Sequence, residues 1–402
     1  LTSSSAEGPS RLAKATLLAA STLTVMSGAT IAPALARIGE HFESHPEAEI
    51  LVPLILTMPA LFIALGSGPL GALSDRVGHK RTLLSGLVVY GVAGAGGLYL
   101  SSLTALLISR AVLGLAVGAI MTTSTSFISG LFTGDERSAF LGKQAAFMAS
   151  GGIVYLLAGG FLADVGWRGP FGVYLASLLF IPGAVLALPT YASAKDDSPD
   201  SSAAEPIPLG KLVRVSLIAM VGMLLFYFTP VMVSDYLNER FGSSGSVSGI
   251  VLAVSSTAAA VVGWYYARFR TRLGFRYVYA ASFTLLGSGM LLFGFAPSFF
   301  FMFPASLLVG LGAGLLFPNS NTYVSEFAPK GRQGTAFGVL TASFFSGQFF
   351  SPLAASPLAA RFGYAGVPGS FSFGGLTAVL IGLSIGVGTY LVRRARTRAS
   401  GT

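Results

Sequence analysis

Gly71-Ala72-Leu73-Ser74-Asp75-Arg76-Val77-Gly78-His79-Lys80-Arg81 lies between two long apolar runs, at about residues 50–71 and 80–100. An apolar run of about 20 residues is the length that crosses a bilayer as a helix. Small residues and alternating charges between two such runs therefore belong at the membrane surface. This stretch reads as a turn joining a second and a third crossing.

Composition supports a membrane setting. Of the 402 residues 53% are hydrophobic and only 10% are charged, against about a quarter charged in soluble domains. The 51 glycines suit close approach of helices in lipid and show no Gly-X-Y period. The net charge of +9 does not point to nucleic acid, because Lys and Arg gather in alternate loops beside the apolar spans. With no cysteine, disulfides and thiolate metal sites are excluded. Neither a metal nor a cofactor is expected. The first apolar run follows Arg11 and Lys14 and extends to about Ala36. That outlasts the core of a signal peptide, so it reads as a retained span.

Twelve spans can be marked, at about 12–36, 50–71, 80–100, 104–128, 139–163, 169–189, 212–234, 246–267, 276–296, 299–325, 335–358 and 369–392. With the N-terminus cytoplasmic, 20 of the 25 Lys and Arg fall on the cytoplasmic side. Arg37, Arg168, Arg240 and Arg361 fall opposite, and Arg110 lies within a span. Both termini are expected inside. Residues 190–211, with Lys195, Asp196, Asp197, Pro199, Asp200 and Glu205, read as a cytoplasmic linker between bundles at 1–189 and 212–402. An offset of 196 supports the division. Arg76-x-Gly78-x-Lys80 recurs as Arg272-x-Gly274-x-Arg276, and Arg110-x-x-x-Gly114-x-x-x-Gly118 as Ser306-x-x-x-Gly310-x-x-x-Gly314. The expected fold is all-α, with twelve transmembrane helices in two six-helix bundles.

Residues 71–81 resemble the loop between the second and third helices of the major facilitator superfamily. The resemblance implies a gating role for Gly71, Asp75, Arg76, Gly78, Lys80 and Arg81. In that family the aspartate faces the N-terminus of the eleventh helix, here near Thr335, and a basic residue pairs with acids after the fourth, here Asp135 or Glu136. A carboxylate so placed contributes about 0.3–1 kcal/mol when exposed and up to about 2 when partly buried. Arg110-x-x-x-Gly114 resembles the fourth-helix motif of proton-coupled efflux members, which implies a coupling role for Arg110. A plain structural role is the alternative: Arg110 bonding backbone carbonyls and Tyr or Ser hydroxyls of neighbouring helices. Gly151 and Gly159-Gly160 match the glycine spacing of family antiporters in span five. Their Gly-Pro pair is replaced by Tyr155-Leu156, which weakens the likeness to the drug/proton antiporter branch but not to the superfamily. Gly166-Trp167-Arg168-Gly169-Pro170-Phe171 looks like the loop of efflux members, and serves equally as an interfacial aromatic anchor.

The acidic residues limit coupling chemistry. All 16, with the three histidines, map to loops or span ends, leaving no mid-membrane carboxylate to relay a proton. Asp164 and Asp235, at outer span ends, are the best remaining acids. Depth in the spans offers Thr24, Met26, Ser27, Tyr155, Phe226, Tyr227, Phe345 and Gln348 as substrate-cavity candidates, a mostly apolar set with a few polar groups. Asn319 and Asn321 lie deeper, as gate or helix-bonding residues.

These features lead to an expected monomeric secondary transporter of a bacterial inner membrane with a small-molecule substrate as partner; coupling to protons does not itself follow from the sequence. Efflux of amphipathic or anionic compounds fits a cavity whose one charge is Arg110. The alternatives are an uptake symporter or uniporter for a sugar or organic anion, and a non-transporting receptor on the same fold. No Ser/His/Asp set, His-x-x-x-His pair or phosphate loop lies at membrane depth, so enzymatic activity is not expected.

Overall fold

A computed structural model describes residues 9–132, 134–189, 206–329, 332–363 and 366–399. Every regular element among them is helical. The chain forms two compact units, Leu1–Asp197 and Ser198–Thr402. Residues 190–205 of the expected linker lie outside the described residues, and Leu209–Lys211 already belong to a helix.

The first unit contains α1 (Arg11–His41), α2 (Ala48–Val77), α3 (His79–Leu98), α4 (Leu103–Leu131), α5 (Gly134–Val165) and α6 (Gly169–Ala187). The second contains α7 (Leu209–Phe241), α8 (Gly245–Trp264), α9 (Phe275–Phe295), α10 (Phe299–Phe327), α11 (Gln333–Arg361) and α12 (Gly366–Ala399), with a short helix, Tyr266–Leu273, before α9. Eleven of these are apolar and long enough to cross a membrane among the described residues. The remaining one, α11, has 29 residues. At 1.5 Å per residue that is about 43 Å, longer than a hydrocarbon core. Thr335, Thr341, Ser343, Ser346, Gln348 and Ser351 interrupt its apolar stretch.

The 71–81 stretch is more helical than its charges suggest. Helix α2 continues through Asp75 and Arg76 to Val77, and α3 begins at His79. Gly78 alone makes the turn, at φ +101°. Its counterpart 196 residues on, Gly274, has φ +76° and opens α9. Any residue with a Cβ is disfavoured in this conformation, so glycine is required at both elbows.

The pairing of helices repeats between the units. In the first, α2 packs on α4, α1 on α5, and α3 on α4 and α6; in the second, α8 packs on α10, α7 on α11, and α9 on α10 and α12. The contacts repeat at residue level. A Cβ on Gly114 would meet the Pro59 backbone of α2, and one on Gly310 the Ser255 backbone of α8. Pro59 and Ser255 are themselves 196 residues apart. Gly118 faces Ser67, and Gly314 faces Ala259 of α8. Lipid tails give helices no hydrophobic reason to associate, so close packing of this kind must hold them together.

Gly310→Val should therefore lower the thermal midpoint of the purified protein, since overpacking costs about 1–3 kcal/mol and the obstacle here is backbone. Gly142, within α5, has open space where a Cβ would go. Gly142→Ala should leave the midpoint unchanged or raise it. Fluorescence-detected size-exclusion after heating would compare the two.

Candidate functional site

The charges around Gly78 are not equivalent. Asp75, Arg76 and Arg81 are exposed, and Gly71 is half-buried within α2. Lys80 instead turns inward and donates to the Val185 and Leu188 carbonyls at the end of α6, at 2.7 and 2.8 Å. A cation there satisfies orphan carbonyls and opposes the negative end of the helix dipole. Beneath them His79 is buried, its Nδ1 2.6 Å from the Ser74 hydroxyl and its Nε2 4.0 Å from Asp75. The expected pairing of a loop base with Glu136 is not what forms: Glu136 takes Lys14 of α1, at 3.3 Å. Lys80 is already committed to α6. The Asp135 side chain lies outside the described residues.

Arg110 is fully buried, two turns into α4. Its Nη2 donates to the carbonyls of Ala93 and Gly94, where α3 changes from an α-helix to a 3-10 turn. Its guanidinium carbon lies 5.0 Å from the Phe171 ring centre and 4.8 Å from that of Tyr174. Nε and Nη1 have no hydrogen-bond partner among the described residues. Ring faces attract a desolvated cation by about 2 kcal/mol or more, which partly offsets the cost of burying it. The rings come close because Gly94 and Gly97 leave room: a Cβ on either would strike Tyr174 or Phe171. The hydroxyls of Tyr174 and Tyr90 in turn donate to Ser27 and Leu23 carbonyls of α1, both at 2.8 Å. One cation thus ties α1, α3, α4 and α6 together.

Both readings of Arg110 meet here. It bonds backbone carbonyls, as a structural arginine would. It also keeps two donor nitrogens unused and, among the described residues, pairs with no carboxylate. The aromatic partners were not identified from sequence. The signal for them is the matched spacing of Gly94 and Gly97 with Phe171 and Tyr174, one small residue for each ring.

The cavity candidates separate into packed and half-buried residues. Met26 is fully buried within the first unit, and the Ser27 hydroxyl bonds to the Thr24 carbonyl of its own helix. Thr24 and Tyr155 are half-buried. Tyr155 reaches Thr22 at 2.8 Å, and nearby Gln144 donates to Ser21 at 2.6 Å. Gly151 and Gly159 allow this approach, facing Thr22 and the Thr30 carbonyl. In the second unit Phe226, Tyr227 and Phe345 are half-buried, and Gln348 is buried beside the Tyr227 hydroxyl. Phe226 packs edge-on against Tyr227 and Phe317, and Phe317 against Phe344 rather than Phe345. Asn319 bonds helices together: it accepts from Tyr266 and donates to the Phe275 carbonyl, each at 3.1 Å. Asp164 is exposed and Asp235 half-buried, and each interacts with neighbouring groups.

Trp167 and Arg168 brace the opposite end of the first unit from Asp75. Arg168 donates to the Gly97 and Leu100 carbonyls, and His41 stacks on Trp167 at 4.4 Å.

The sequence profile of the Major Facilitator Superfamily matches residues 17–218 and again 215–401. The chain belongs to this superfamily. It is an integral, multi-pass membrane transporter and not an enzyme. Among curated relatives, the bacillibactin exporter of Bacillus subtilis is 26% identical over 326 residues, 76% of this chain and 79% of that one. The quinolone resistance protein NorA of Staphylococcus aureus is 24% identical over 303 residues, 72% and 75% of the two chains. Solved superfamily structures share the fold. A bacterial homologue of the human lysosomal transporter Spinster aligns with TM-score 0.72 at 16% identity, covering 95% and 96% of the chains. A D-xylose–proton symporter aligns with TM-score 0.71 at 16% identity, covering 94% and 97%.

In this superfamily member, Lys80→Met should free the last carbonyls of α6. Loss of two partly exposed charged hydrogen bonds costs about 1–2 kcal/mol. Amide exchange should quicken around Val185–Leu188 while α4 is unaffected.

Proposed function

We propose that the protein exports small amphipathic or anionic organic molecules by alternating access, in exchange for protons. The observation that carries this reading is the pair of relatives aligned over about three quarters of both chains, one named an exporter and the other a resistance protein. Charge points the same way. Among the described residues of the first unit Arg110 is the fully buried cation and pairs with no acid, so a permanently cationic solute would meet repulsion rather than a partner. An anionic or neutral solute would not. Asp235, half-buried, and Asp164 are the acids we assign to proton entry, with Arg110 adjusting their coupling.

In this reading the Asp75 turn lies on the cytoplasmic side with both termini, and Asp75 is part of the latch that closes the cytoplasmic face. The exposed Asp75 is available for that role, since its ion pair with His79 is long, at 4.0 Å. Arg76 and Arg81 make no ion pair among the described residues and would add to the latch. The half-buried Thr24, Tyr155, Phe226, Tyr227 and Phe345, with Gln348, are the side chains we assign to substrate.

The test is purified protein in liposomes with an internal pH dye and a panel of anionic, neutral and quaternary-cationic compounds. Anionic or neutral compounds should move protons, and quaternary cations should not. A strong preference for quaternary cations would overturn the charge argument. Arg110→Ala should abolish substrate-driven proton movement; normal movement would remove Arg110 from coupling. Asp75→Asn should slow turnover about tenfold if the latch is worth about 1.4 kcal/mol in the transition between states, with substrate affinity little changed. Accumulation in everted but not right-side-out vesicles would distinguish export from uptake.

A further inference from the structure

A second feature belongs to neither the substrate path nor the latch. The second unit holds a cavity of about 660 Å³ walled by the N-terminal parts of α7 and α9, the last turns of α10 and the C-terminal half of α12. Arg214 of α7 and Arg276 of α9 both line it and are both exposed. Neither makes an ion pair among the described residues. The first turn of α9, also in the wall, has neither an acidic residue nor a side-chain cap, so its amide groups add to the positive field. Away from the arginines the wall is mostly apolar, with Ile218, Ile385 and Val392 beside Ser384 and Thr389.

We propose that this cavity binds an anionic phospholipid, its phosphate held by Arg214 and Arg276 and its acyl chain lying along the α12 wall. Three observations favour this occupant. The cavity sits where apolar spans end, which is the level of the headgroups. Two guanidinium groups, each able to give a phosphate paired hydrogen bonds, line one cavity and make no ion pair among the described residues. Polar and apolar surfaces lie in one cavity, as an amphiphile requires and a free ion does not. Basic pockets between crossing helices are the expected form of a headgroup site. A lipid seated here is independent of the direction of transport and of coupling.

Binding to the intact protein in detergent would be followed by native mass spectrometry. The probes are dioctanoyl phosphatidylglycerol, dioctanoyl phosphatidylcholine and inorganic phosphate. The glycerol lipid should bind about tenfold more tightly than the choline lipid, and the Arg214→Gln/Arg276→Gln variant should lose that preference. Gly388 lines the cavity and has open space at its Cβ position. Gly388→Phe should therefore block the lipid while keeping both arginines, and Arg11→Gln, at the far end of the sequence, should bind as the parent does. Equal binding of the two lipids, or undiminished binding by both cavity variants, would overturn the proposal. Inorganic phosphate binding as tightly as the glycerol lipid would assign the cavity to a free anion instead.

Discussion

Close approach of helix backbones is the constraint on which both units depend. In water, burying leucine against leucine drives helices together; in lipid the tails are as apolar as the side chains. What remains is dispersion between well-matched surfaces, and it falls off steeply with distance. Gly114 on Pro59 and Gly310 on Ser255 bring α4 onto α2 and α10 onto α8 with no side chain between. The same principle governs Gly287 against Gly375 and Gly289 against the Ala305 backbone, which place α9 against α12 and α10. Each unit is assembled from contacts that any larger residue would break.

The buried arginine is best understood within that packing. Gly94 and Gly97 admit the Tyr174 and Phe171 rings, and the rings make room for a charge that lipid alone would not tolerate. Its Nη2 satisfies carbonyls that α3 leaves behind on tightening into a 3-10 turn. The arrangement is economical in polar groups yet leaves two nitrogens unanswered. The second unit has Ser306 at the matching position, bonded to the Val251 carbonyl of α8. The duplicated scaffold is thus shared, while the charge is confined to one copy.

Much of this architecture was legible in the sequence, and the reasons are physical. Apolar length revealed the crossings, because the bilayer sets that length independently of partners. The repeat was visible because the elbows at Gly78 and Gly274 and the close contacts at Gly114 and Gly310 tolerate no substitution of shape. Local propensity was a poorer guide at Ser74–Val77, where charges suggested a loop and α2 carries on as helix. Long-range partners were not legible. The commitment of Lys80 to Leu188, of Glu136 to Lys14 and of Arg110 to two rings joins residues far apart in sequence. No spacing rule within one helix encodes such pairings. The Arg214–Arg276 cavity was missed for the same reason, since its walls come from four separate helices.

The single-residue elbow has a mechanical implication. A long flexible connection would let α2 and α3 tilt separately, with slack taken up between them. One glycine, with Lys80 immediately beyond it fastened to the end of α6, allows bending about one point and almost no sliding. A displacement at the end of α2 therefore has a direct route, through one pivot and one ammonium group, to α3 and α6.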